Sequence, residues 1–98
     1  MRVAWTAHAK RELSAIHDYI AQNSRRYAQG MVDRITRKTE LLVEFPRLGA
    51  EVSEYEDESV RELLEHPYRI IYRLRGTTAE ILSVVHGARQ LPPQLPMD

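Results

Sequence analysis

Apolar residues in the first half of this chain recur at a helical period. From Ala7 to Asn23, the residues Ala9, Leu13, Ile16 and Ile20 follow at steps of four, three and four, one stripe of an amphipathic helix with Thr6 as its N-cap. Asn23-Ser24 then punctuates the chain, with Ser24 a second cap. Beyond it Ala28, Met31, Ile35, Leu42 and Phe45 share a broad face, and Pro46 stops the second helix near Phe45. Two helices joined so briefly form an antiparallel hairpin, and its apolar stripe needs a sheet. Ahead of them, Arg2–Trp5 carries Val3 and Trp5 at period two and serves as an opening strand.

The second half changes period. Val60–Leu64, Tyr68–Leu74 and Ala79–His86 are β-rich runs separated by His66-Pro67 and Gly76-Thr77, short enough to be hairpin turns. The predicted fold is α+β: an N-terminal strand and an antiparallel helical hairpin packed on a small antiparallel sheet that ends in a three-stranded meander, in the order β-α-α-β-β-β. With two-residue turns, one face carries the rows Arg61–Tyr72–Ile81 and Leu63–Ile70–Ser83. The other carries Val60–Arg73–Glu80, Glu62–Ile71–Leu82 and Leu64–Arg69–Val84. Neither face is purely polar, so something beyond one layer of helices covers the second, a partner protein being one candidate.

The connections are read from breakers and charge. Pro46 to Ser59 is rich in acidic residues and reads as a solvated loop, whereas Pro92, Pro93 and Pro96 make an extended tail that lies across an open sheet face or hangs free. Residues 1–91 are taken as one domain and 92–98 as a proline-rich tail.

Composition narrows the function. The chain has 98 residues, 43% hydrophobic and 29% charged, the signature of one globular domain. It has no cysteine, hence no disulfide framework or thiolate chemistry, and no apolar run long enough for a signal core or a membrane span, which predicts a cytoplasmic protein with no membrane contact. The net charge is zero, although residues 1–43 hold eight basic and four acidic side chains and residues 44–58 hold six acidic and one basic. A neutral total argues against avid nonspecific nucleic-acid binding.

Candidate chemistry is sparse. His8, His17, His66 and His86 have no metal-site spacing, there is no phosphate loop or nucleophile elbow, and no cofactor or metal is implied. Ser83, inside a strand, reads as a small packing residue. The most promising set is Arg61, Tyr72, Arg73, His86 and Arg89, on or just beyond the central strands. Guanidinium groups there would grip phosphate while a tyrosine or histidine moves a proton or stacks on a base. The structural alternative pairs Arg73 with Glu80, packs Arg61 along Tyr72 and lets His86 cap the sheet edge. The arginines of the second helix read as a solubilising face, since Asp33 and Glu40 interrupt them.

Several stretches in order carry a resemblance: Trp5; Ala9, Leu13, Ile16 and Tyr19-Ile20; Leu42, Phe45-Pro46 and Gly49; Arg61-Glu62-Leu63; Tyr68-Arg69-Ile70-Ile71-Tyr72; and Ile81 through Arg89. Together they resemble the ParE/RelE toxin superfamily of type II toxin–antitoxin systems, which includes plasmid stabilisation proteins. The resemblance implies the same strand, helical hairpin and meander. It also implies a toxin held inactive by a cognate, ParD-like antitoxin from the adjacent gene, whose partly disordered segment folds onto it. Relatives similar to RelE cleave messenger RNA on the ribosome, usually with a tyrosine or histidine near the C-terminus, and relatives similar to ParE poison DNA gyrase without catalysis. The ending His86-Gly87-Ala88-Arg89-Gln90 resembles the ParE branch, no tyrosine follows Tyr72, and the lysines are only Lys10 and Lys38. The expectation is therefore a non-enzymatic gyrase inhibitor with Arg61, Tyr72, Arg73, His86 and Arg89 at its target-binding surface and no direct nucleic-acid binding outside the complex. The alternatives are a ribosome-dependent endoribonuclease and a non-toxic, degenerate antitoxin-binding module, the latter suggested by the acidic stretch Glu51–Glu58.

Overall fold

A computed structural model describes all residues 1–98. Strand β1 (Arg2–Trp5) leads into helices α1 (Ala7–Ala21) and α2 (Arg25–Glu40), followed by β2 (Ala50–Glu51), β3 (Val60–Glu65), β4 (Tyr68–Arg75) and β5 (Thr78–His86). Both helices begin where cap chemistry places them: Thr6 Oγ1 accepts from the Ala9 N–H at 3.1 Å and Ser24 Oγ from the Tyr27 N–H at 3.1 Å. Helix α2 ends sooner than Pro46 requires. It tightens after Glu40 into a 3-10 turn over Leu41–Val43, and Phe45, expected on the buried face, is 57% exposed.

The five strands form one sheet in the order β1-β5-β4-β3-β2. The meander forms as its turn residues dictate, with Gly76 at φ +57°, a conformation glycine adopts without a Cβ clash. The sheet is mixed rather than wholly antiparallel, because β1 pairs in parallel with β5 from Arg2↔Thr78 to Trp5↔Ile81.

The rows Arg61–Tyr72–Ile81 and Val60–Arg73–Glu80 match the register read from the turns, as do all the β3–β4 pairs. Between β4 and β5 the pairing slips by one residue past Tyr72: Ile71 faces Ser83, Ile70 faces Val84 and Arg69 faces Val85. Leu82 is the extra residue of a β-bulge, beyond which Val84 moves to the helix side and Val85 to the second face, while the Ser83 hydroxyl still reaches Glu12 of α1.

Two cores result. Under the helices, Ala9, Met31, Ile35 and Leu42 pack on Leu63, Ile70, Tyr72, Ile81 and Val84. On the opposite face, Val52, Val60, Ile71, Leu82 and Val85 are closed over by Leu91 and Leu95, with Tyr55 against them. The chain thus covers its own second face. The stretch expected to be a solvated loop contributes β2, which pairs with β3, and Val52, which is 1% exposed; the tail lies across the sheet, where the Tyr55 hydroxyl donates to Pro92 O at 2.7 Å. Packing Val52 and Tyr55 on the sheet outweighs the loop's acidic composition, because the carboxylates around them stay exposed.

Candidate target-binding surface

The end of β5 is built from β4 and from the turn beyond it. His86, the last residue of β5, pairs with Tyr68, and the two rings meet edge to face with centroids 6.0 Å apart. The turn that follows is tied down by its backbone: Gly87 N–H donates to Pro67 O at 2.7 Å, Arg89 N–H to His86 O at 3.0 Å, and Ala88 N–H to His86 Nδ1 at 3.1 Å. With Nδ1 accepting, Nε2 carries the proton of the neutral ring. Arg89 then projects with a side chain 66% exposed, its nearest carboxylate oxygen 4.0 Å away on Glu12. Between this end and α1 lies an open groove of about 390 Å³ whose walls include Ile16, Tyr19, Tyr68, Val84 and Val85. Tyr19 is 69% exposed, and Tyr68, its hydroxyl pKa pushed up by burial and then by Tyr19, stays protonated at neutral pH.

The five residues nominated from sequence do not form one surface. His86 and Arg89 come together at this end. Tyr72 lies in the core with no exposed surface; its hydroxyl donates to Pro46 O at 2.8 Å and accepts from the Gly49 N–H at 2.9 Å. Burial raises the Tyr72 pKa, so the phenol is a neutral structural group. Arg61 is half-buried on the same face, donating through Nε to Gly49 O at 2.7 Å and through Nη1 to Glu58 O at 3.0 Å. Arg73 lies on the other face and donates to Glu80 Oε1 from Nε at 3.1 Å and Nη2 at 2.8 Å, the cross-strand pair that its row implies.

Two polar clusters were not singled out from sequence. Arg69 bridges two carboxylates, donating to Glu62 at 2.8 Å from both Nε and Nη2 and to Glu54 at 2.8 and 3.0 Å. Hydrogen bonding from Arg69 holds the Glu54 carboxyl at a pKa of about 2. Its row with Leu64 was legible, but Glu54 arrives from the distant loop. Glu12 accepts from Ser83 Oγ at 2.6 Å and from the Val84 N–H at 3.1 Å. Its signal lay in its position: three residues after Ala9 and four before Ile16, it sits on the apolar stripe of α1, where a charge needs a buried partner.

A parallel closing strand, a helical hairpin on one face of the sheet and a meander ending in a short basic turn are the frame of a small protein toxin. The chain belongs to the ParE toxin family of type II toxin–antitoxin systems (parDE), whose family model matches residues 3–91. Among individual relatives, Toxin RelE2 of Caulobacter vibrioides is 35% identical over 89 residues, a match that covers 90% of this chain and 97% of the relative. Among solved structures, the chromosomal ParDE TA system from P. aeruginosa superposes with a TM-score of 0.73 at 29% identity, covering 88% of this chain and 95% of that one. No helix of this chain is long and apolar enough to cross a membrane.

Proposed function

We propose that this toxin is a non-enzymatic inhibitor of DNA gyrase, neutralised by a ParD-like antitoxin encoded beside it. The observation that carries the reading is the fate of the groups RNA cleavage would recruit. Tyr72 is in the core with its hydroxyl bonded on both sides, and Arg61, Arg69 and Arg73 are held by internal acceptors. A proton-moving group must reach the atom it serves, and Tyr72 reaches only Pro46 and Gly49. What faces outward is a binding end: His86, Arg89 and the apolar groove beside them. Such a surface inhibits by holding gyrase in the state with cleaved DNA, which requires only that it bind that state better than the others. The family match and the likeness to a ParDE system support the antitoxin partner.

The test is a supercoiling and DNA-cleavage assay with purified gyrase and ATP, with and without the antitoxin. The expected result is loss of supercoiling and accumulated cleaved DNA, reversed by the antitoxin, with Arg89→Ala weakening the effect. A second reading, ribosome-dependent cleavage of mRNA, is favoured by the RelE name of the 35% identical relative and by exposed His86. Intact gyrase activity together with cut ribosome-bound mRNA establishes that reading instead. Unimpeded growth on induction of the toxin alone marks a degenerate, antitoxin-binding member.

A further inference from the structure

The bulge at Leu82 turns the last four residues of β5 by one position. Counted without a bulge from the Gly76-Thr77 turn, β5 sets Val84 beside Arg69 on the second face and sends His86 to that face as well. With the bulge, Val84 enters the core under the helices opposite Ile70, Val85 takes the second face, and His86 pairs with Tyr68 on the helix side. The position of the proposed binding end therefore depends on which register β5 adopts.

A bulge takes backbone groups out of the ladder, and here a carboxylate receives one of them, the Val84 N–H. Glu12 Oε1 accepts both the Ser83 hydroxyl at 2.6 Å and the Val84 N–H at 3.1 Å, from a side chain 17% exposed. The same carboxylate faces His8 Nε2 at 3.2 Å and Arg89 Nη1 at 4.0 Å. The competing register would return Val84 N–H to the ladder, but would leave the half-buried Glu12 carboxylate with the Ser83 hydroxyl as its one remaining donor from β5 and would set Ser83 in place of buried Val84 opposite Ile70. The carboxylate tips that balance.

We infer that Glu12 is the positioning residue of the His86–Arg89 end: fixed on α1, its carboxylate selects the bulged register of β5 and so turns His86 and Arg89 to the helix side. Its consequence for toxicity rests on the gyrase reading; its effect on register does not.

The experiment uses the full-length, isotope-labelled chain and three variants, Glu12→Ala, Glu12→Asp and Glu12→Gln. NMR reads the Val84–Ile70 cross-strand contact, the His86–Tyr68 ring contact and exchange of the Val84 amide, with gyrase inhibition measured in parallel. In Glu12→Ala the Val84–Ile70 contact gives way to Ser83–Ile70, and His86 leaves Tyr68. Glu12→Asp keeps the charge but is one methylene shorter, so the Val84 amide exchanges faster by about tenfold. Glu12→Gln keeps an acceptor oxygen and restores the Val84–Ile70 pairing. If both Ala and Asp keep that pairing, the ring contact and the slow amide, apolar packing alone sets the register and the inference is wrong. Should Glu12→Ala fail to fold, Glu12→Asp decides. A wild-type protein that leaves gyrase untouched removes the gyrase reading, while the NMR contacts still decide the role of Glu12.

Discussion

Arg69 shows how a cation on an open-looking strand is used inside the fold. Clamped between Glu62 and Glu54, it joins the sheet to the loop before it, and each guanidinium edge meets a carboxylate in the planar geometry that makes such pairs strong. Because Glu54 titrates lower in the folded protein than in the unfolded chain, its contribution to stability is complete above the ordinary value of 4.5 and is lost as pH falls toward about 2. With the Glu54 side chain 39% exposed, solvent screens the pair and the effect is modest. Urea midpoints measured down that interval should fall more steeply for the wild type than for Glu54→Gln, and parallel curves would count against the linkage. Tyr72 is the second residue with a single defined job. Removing its hydroxyl in Tyr72→Phe strands the buried Gly49 N–H and is expected to cost about 1–3 kcal/mol in urea unfolding with an unchanged m-value. Gly49→Ala should be at least as damaging, since a Cβ there would stand 2.5 Å from Glu62 O and 2.8 Å from the Tyr72 hydroxyl.

Elements with local causes were legible in the sequence. The two N-caps, the helical stripe of α1, the two turns and the β3–β4 register depend on residues a few positions apart, and these were read correctly. The bulge was not, because it depends on a carboxylate 71 residues away from Ser83. Strand β2 was missed for a related reason: Ala50–Glu51 has no strand propensity of its own and is held by pairing with Arg61 and Glu62. The candidate site divided along the same line, since residue types nominated Arg61, Tyr72 and Arg73, while the fold, which alone supplies burial and pairing, buries Tyr72 and ties the two half-buried arginines to internal acceptors. Thr6 joins two elements through one hydroxyl, accepting from Ala9 N–H and donating to Ile81 O at 2.9 Å. Thr6→Ala loses both the cap and the tie to β5, an expected cost of about 1–2 kcal/mol by thermal or urea unfolding; a loss indistinguishable from zero would mean that α1 is held by packing alone.

At the scale of the whole molecule, the second face is closed by the chain itself. Leu91 and Leu95 are 8% and 6% exposed over Ile71, Leu82 and Val85. Truncation after Gln90 removes both, and burial of a leucine stabilises by about 1.5–3 kcal/mol each, so the shortened chain should unfold at lower urea and bind a hydrophobic dye. An unchanged midpoint with no dye binding would mean that the tail does not hold to the sheet in solution.

The parallel pairing of β1 with β5 has a kinetic consequence. Its tie at Thr6 and Ile81 joins residues 75 apart, whereas the meander closes through turns of two residues. Loop closure entropy therefore places the edge strand late on the folding path, after the hairpins have formed. Substitutions such as Val3→Ala should then hasten unfolding while leaving the folding rate almost unchanged, and substitutions of Ile70 or Ile81 should slow folding. The strand made first is, by this argument, the last to join the sheet and the first to leave it.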